Sequence, residues 1–183
     1  MRYAKIDKCE ICNGLNVGVT LFVQGCSRHC YNCFNPETWD FNGGKEWTEE
    51  IKEKFMKLID KPYIKRVTIL GGEPLDKHNI EGVYLLLKEI KDKYPDKKIW
   101  LYTGSTVKNI TPKKLKSLTD CGLVETTHDY KDIINLCDVI VDGEYVDSLR
   151  DITLPFRGSS NQRLIDVKKT ADAGEIVLYE LPH

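Results

Sequence analysis

The sequence lacks an excess of charge of either sign. Its 27 lysines and arginines almost cancel 28 aspartates and glutamates, for a formal net charge of −1. A chain that tracks a polyanion needs a basic face, so nucleic acid is not expected as a partner. Long hydrophobic runs are also missing. Nothing approaches the roughly 18 apolar residues that cross a bilayer, and no membrane partner is expected. The opening MRYAKIDKCEICNG has no apolar signal-peptide core, which points to a cytoplasmic protein. No repeat, low-complexity tract or Pro/Gly/Ser-rich linker divides the 183 residues, so a single domain over 1–183 is expected. Hydrophobic residues at 41% are enough for a core and exclude a disordered segment.

An even cysteine count is absent as well. The seven are Cys9, Cys12, Cys26, Cys30, Cys33, Cys121 and Cys137, and five of them fall within the first 33 residues. A secreted disulfide scaffold shows paired cysteines behind a signal sequence. In a reducing compartment, clustered thiols are metal or redox ligands.

The pattern along the chain alternates short apolar strands with amphipathic helices. GVTLFVQ (18–24) reads as a buried strand. Thr48 caps a helix with Ile51, Phe55, Leu58 and Ile59 on one face, closed by Pro62. A strand over Val67–Leu70 runs into Gly71-Gly72-Glu73-Pro74, and a helix follows from Ile80 to about Tyr94. A strand over Ile99–Tyr102 ends at Thr103-Gly104-Ser105. Helices are expected from Thr111 to near Cys121 and over Tyr130–Leu136, and strands over Asp138–Val141, Arg163–Val167 and Ile176–Tyr179. This is an α/β fold with a mostly parallel sheet. A closed eight-fold barrel takes about 250 residues. The chain is too short for one, so a partial (β/α) barrel or an open sheet is expected. In either, chemistry belongs at the C-terminal strand ends, where the cysteine loop, GGEP, TGS and Asp142-Gly143 lie.

Cys26, Cys30 and Cys33, spaced four and three residues apart just past a strand, can converge on one centre. Thiolates favour zinc or an iron–sulfur cluster. A structural zinc site wants four protein ligands, the fourth being His29, Cys9 or Cys12. A cluster held by three cysteines instead leaves one iron for another ligand. Glycines after the Val67–Leu70 strand let backbone approach a ligand, although GGEP alone is also an ordinary tight turn. Cys9-x2-Cys12 suits a second metal, a redox pair or packing beside the first strand. Cys121 and Cys137 read as core residues, and His78 and His128 as surface residues.

C-x3-C-x2-C followed by Phe34 resembles the signature of the radical S-adenosylmethionine (AdoMet) superfamily, and Leu70-Gly71-Gly72-Glu73-Pro74 resembles its glycine-rich segment. The run from Val23 to Trp39, the DVIVDG segment and FRGSSNQR (156–163) are similar to the activating proteins of anaerobic ribonucleotide reductase. The resemblance implies a partial barrel open on one side and one [4Fe–4S] cluster on Cys26, Cys30 and Cys33. It also implies AdoMet against Asn32, Phe34, Gly71, Gly72, Glu73 and Thr103. Reductive cleavage would yield a 5′-deoxyadenosyl radical, which takes hydrogen from a glycine Cα of the reductase catalytic subunit. A flavodoxin-type protein would donate the electron. Other readings are a small-molecule radical AdoMet enzyme, such as a carboxy-deazaguanine synthase, and a non-catalytic zinc or iron–sulfur module. The first leaves FRGSSNQR unexplained. That segment could dock the reductase or merely brace the last strand.

Overall fold

The computed structural model describes residues 1–107 and 130–182. The expected helix from Thr111 to Cys121, and with it Cys121 and His128, lies outside the described residues.

Among the described residues, seven strands form one sheet in the order β3-β1-β2-β4-β5-β6-β7. They are β1 (Arg2–Glu10), β2 (Gly18–Val23), β3 (Lys45–Glu46), β4 (Arg66–Gly71), β5 (Lys98–Thr103), β6 (Val139–Asp142) and β7 (Arg163–Asp166). Strands β2, β4, β5 and β6 pair in parallel, whereas β1 and β3 on one side and β7 on the other pair antiparallel. The architecture is mixed α/β, and among the described residues the sheet does not close on itself. Side chains of the central strands alternate between faces, as the pleat requires. Val19, Leu21, Val67, Ile69, Ile99, Leu101 and Ile140 face the main core. Into that core pack α1 (Glu49–Ile59), α2 (Ile80–Lys93) and α3 (Tyr130–Leu136). Trp100, Val139, Val141 and Leu164 make a second cluster, joined by Leu15, Tyr102 and Phe156.

The helix boundaries follow local chemistry. Thr48 Oγ1 accepts the Ile51 amide at 3.4 Å, and Glu49 and Glu50 sit in the positive first turn of α1. In α2, Ile80, Val83, Leu86, Leu87 and Ile90 form a buried stripe at helical spacing. No described helix is long and apolar enough to cross a membrane.

Three expectations need correction. The strand over Ile176–Tyr179 does not form; its trace is a lone bridge between Ile165 and Leu178. The chain leaves β7 one residue early, because Asp166 accepts the Lys169 amide at 2.9 Å and caps α4 (Val167–Ala173). Gly174, at φ +75, then stops that helix in the left-handed conformation. The third correction is β1, a strand that hydrophobic pattern alone does not announce. It is a largely half-exposed neighbour of β2, with lysines among its residues.

Candidate functional site

The loop after β2 is anchored by backbone before any side chain is considered. The Gly25 and Cys26 amides donate to Thr38 and Trp39 carbonyls at 2.7 and 3.1 Å. Gly25 adopts φ +99, and a Cβ there would stand 2.2 Å from the Phe41 ring, so only glycine fits. The turn after β4 is joined to the same loop. Gly72 N donates to Val23 O and Glu73 N to Gly25 O, both at 2.9 Å. Buried Asn79 clamps the junction, its Nδ2 reaching the carbonyls of Gln24, Gly25 and Glu73 at 3.0–3.3 Å. Ser27 Oγ adds a bond to Asp76 at 3.0 Å.

Glu73 is the buried hub. Its carboxylate accepts from the Thr103 hydroxyl (2.8 Å), the Gly104 amide (2.9 Å) and the Leu75 amide (3.0 Å), and pairs with Arg28 Nε at 3.1 Å. Arg28 continues to Ser105 Oγ at 2.6 Å. Thus the cysteine loop, GGEP and TGS, which lie at three different strand ends, form one hydrogen-bonded unit.

These strand ends border a cavity of about 580 Å³, within the usual range for a small-molecule site. Its lining includes Cys26, Cys30, Cys33, Phe34, Gly71, Gly72, Glu73 and Thr103. Asn32 does not line it; at φ +53 its side chain turns to Asp147, 3.2 Å away. All three thiols are free and partly exposed. The Cys30 thiol donates to Glu144 at 3.5 Å, and burial together with that carboxylate pushes its pKa up to about 11. Burial raises Cys26 too. Cys33 Sγ accepts the Asn35 amide at 3.4 Å. Among the described residues, no three His, Cys, Asp or Glu side chains gather tightly enough for a single ion. A cube presents separate irons and asks for thiolates spread around it. His29, offered above as a fourth zinc ligand, stacks on Trp39 with ring centroids 4.7 Å apart.

Cys9 and Cys12 are both exposed and unpaired, and Cys12 alone of the two lines the cavity. Their segment is organised by Glu10, one of the two residues between them. Glu10 accepts the Cys12 and Asn13 amides (2.6 and 2.9 Å), the Thr20 hydroxyl and Arg66 Nη2 (2.8 Å). Cys137 is a buried core residue, as expected, and His78 is a surface residue held by Asp76.

FRGSSNQR turns inward. Gln162 Oε1 accepts the Gly158 and Ser159 amides and its Nε2 donates to Gly143 O. Asn161 donates to Glu144 O at 2.8 Å, and Arg163 pairs with buried Asp142. The stretch 143–151 held in this way in turn meets the cysteine loop. Glu144 reaches Cys30, Asp147 reaches Asn32, and Tyr145 lies 5.0 Å from Phe34, centroid to centroid. Arg28, Glu144, Tyr145 and Asp147 were not singled out by the sequence reading. Only the neighbouring Asp142-Gly143 signal marked their region.

The chain matches, over residues 12–165, a family described as a 4Fe-4S single cluster domain. The anaerobic ribonucleoside-triphosphate reductase-activating protein of Salmonella typhi is 32% identical over 164 residues, 88% of this chain and 96% of that protein. That of Enterobacteria phage T4 is 35% identical, covering 90% and 93%. That of Escherichia coli (strain K12) is 30% identical, covering 88% and 96%.

Proposed function

The chain belongs to the family of anaerobic ribonucleoside-triphosphate reductase-activating proteins, and from this we propose that it activates such a reductase by generating a glycyl radical on its catalytic subunit. Cys26, Cys30 and Cys33 would hold the [4Fe–4S] cluster, while Phe34, Gly71, Gly72, Glu73, Thr103 and, through its backbone, Asn32 would lie against AdoMet. When bound, cluster and AdoMet supply a one-electron reductive cleavage that yields a hydrogen-abstracting species; the electron would come from a flavodoxin-type donor in the cytoplasm.

The chain's own residues bind, orient and exclude water. The carboxylate of Glu73 is already engaged by Thr103, Gly104, Leu75 and Arg28, so it shapes the cavity and leaves backbone polar groups to meet the ligand. Thr103 likewise acts through Glu73. The open sheet, read as a partial barrel, leaves a side from which a polypeptide loop can enter. The observation that carries this reading is the convergence of three cysteines and the glycine-rich turn on one cavity. The test is anaerobic reconstitution with iron and sulfide, followed by incubation with reductant and AdoMet, with and without the reductase. Release of 5′-deoxyadenosine and a reductase-dependent doublet in electron spin resonance are expected. A colourless zinc-loaded protein, or release without any radical on the reductase, would sink the reading.

A further inference from the structure

The two ends of the sheet are finished differently. At one end, β7 is covered by the C-terminal segment: Asp166 N donates to Val177 O at 3.0 Å and Tyr179 N to Leu164 O at 2.8 Å. At the other, β1 pairs with β2 from Tyr3 to Glu10 but with β3 only at Arg2 and Tyr3. Among the described residues, no other backbone pairs with Ala4–Cys9 on the side away from β2. Lys5, Lys8 and Cys9 of this stretch are exposed. An unpaired strand edge is a row of main-chain donors and acceptors, onto which an extended chain can add as a further strand.

This edge adjoins the cysteine cavity. Lys5 and Asp7 line it together with Cys26, Cys30 and Cys33. A lysine on an edge strand usually obstructs further pairing. Lys5 does not, because its ammonium lies over the ring of its cross-strand neighbour Phe22, 4.1 Å from the centroid, and pairs with Asp7 at 3.3 Å. The side chain is therefore folded toward β2 and leaves the outer edge clear. The ladder to β2 is regular from Lys5 to Asp7 and shifts on either side of it. The edge thus offers a short regular stretch, suited to a few residues of an added chain. A target glycine presents no side chain to grip. A protein that must place its Cα has to recognise the main chain beside it, and a strand edge does that whatever the neighbouring side chains are.

We propose that the outer edge of β1 around Lys5–Asp7 is the docking strand for the reductase: the extended stretch flanking its target glycine pairs there by main-chain hydrogen bonds, and the glycine turns from it over the cavity. The assignment rests on the activating function proposed above. The test is hydrogen exchange at single-residue resolution on the reconstituted full chain with AdoMet, alone and with purified reductase. Every second amide within Ala4–Lys8 should slow about tenfold when reductase is added, as one hydrogen bond of typical net strength gives. A second measurement replaces exposed Lys8 with the photo-cross-linker p-benzoylphenylalanine. Cross-links should fall within about five residues of the target glycine, since an extended residue spans only about 3.3 Å. No slowing in β1, or cross-links confined to other parts of the reductase, would overturn the docking strand. So would slowing that follows the concentration of this chain alone, which would make a second copy the occupant of the edge. Reductant is then added to the same samples. Wild-type protein that releases no 5′-deoxyadenosine, or forms no radical on the reductase, would overturn the activating function instead.

Discussion

A Cβ on Gly72 would stand 2.3 Å from the carbonyl oxygen of Gly25, backbone against backbone. The glycine is therefore needed where two loops meet, whatever ligand also approaches it. Gly72→Ala should cost about 1–3 kcal/mol, as overpacking does, and should lower iron retention after reconstitution because the cysteine loop must shift. Chemical denaturation and iron analysis would check it; full iron with wild-type stability would contradict it. This differs from expecting an effect on AdoMet alone, and the reason is that Gly25 O already occupies the vacant side. The cysteines give the sharper contrast. Alanine at Cys26, Cys30 or Cys33 should each abolish stable cluster binding, seen as loss of iron and of broad visible absorbance. Cys137→Ala removes a buried thiol that bonds Ile133 O and should leave the iron content intact.

At the scale of elements, Arg66 at the start of β4 pins the connection between β1 and β2. Its fully buried guanidinium donates to carbonyls of Glu10, Asn13 and Leu15 at 2.8–3.2 Å, to the Thr68 hydroxyl, and pairs with Glu10. Arg66→Met should destabilise the fold by about 3–5 kcal/mol, since it strands a partly buried carboxylate and several carbonyls. Urea unfolding measures this. Burial alone would raise the Glu10 pKa, but the Thr20 hydroxyl and Arg66 bring it below the usual glutamate value. The pair thus contributes stability above that usual value, which is lost as pH falls through the lower folded one, and Arg66→Met should flatten this acid-side slope. The FRGSSNQR segment acts as a brace. Gln162→Ala frees the Gly158 and Ser159 amides and Gly143 O, and should cost about 1–3 kcal/mol. Hydrogen exchange should quicken over 143–151 before it does in the central strands.

For the whole molecule, the activating function proposed above needs a surface on which the reductase can dock. Beside the cavity, Tyr31 (77% exposed) on the cysteine loop and Ile152 (82% exposed), just past the braced stretch, carry large apolar side chains into solvent. Arg150 lies over the Phe34 ring at 5.3 Å, so the two loops share one rim. Changing Ile152 to Asp should raise the reductase concentration needed for half-maximal radical formation about tenfold while iron content stays at the wild-type level; one large apolar side chain at an interface contributes about that much. An unchanged concentration dependence would mean that the rim takes no part in docking.

The sequence alone was enough for the β/α alternation, the buried central strands, the capped α1 and the amphipathic α2. These depend on periodicity and on residues within one turn of each other. It also marked the cysteine triplet and the glycine-rich turn, because ligand spacing within a loop is itself a local pattern. The tertiary structure decided what links distant positions. Glu73 is a hub rather than a free carboxylate because Arg28, Thr103 and Gly104 reach it from other strand ends. FRGSSNQR braces because its polar groups meet residues 143–151 instead of solvent. The edge strand β1 and the Glu10–Arg66 pair beside it were invisible to pattern. Pairing in a half-exposed strand and satisfaction of a buried guanidinium depend on which groups the fold brings alongside, and a linear sequence does not record that neighbourhood.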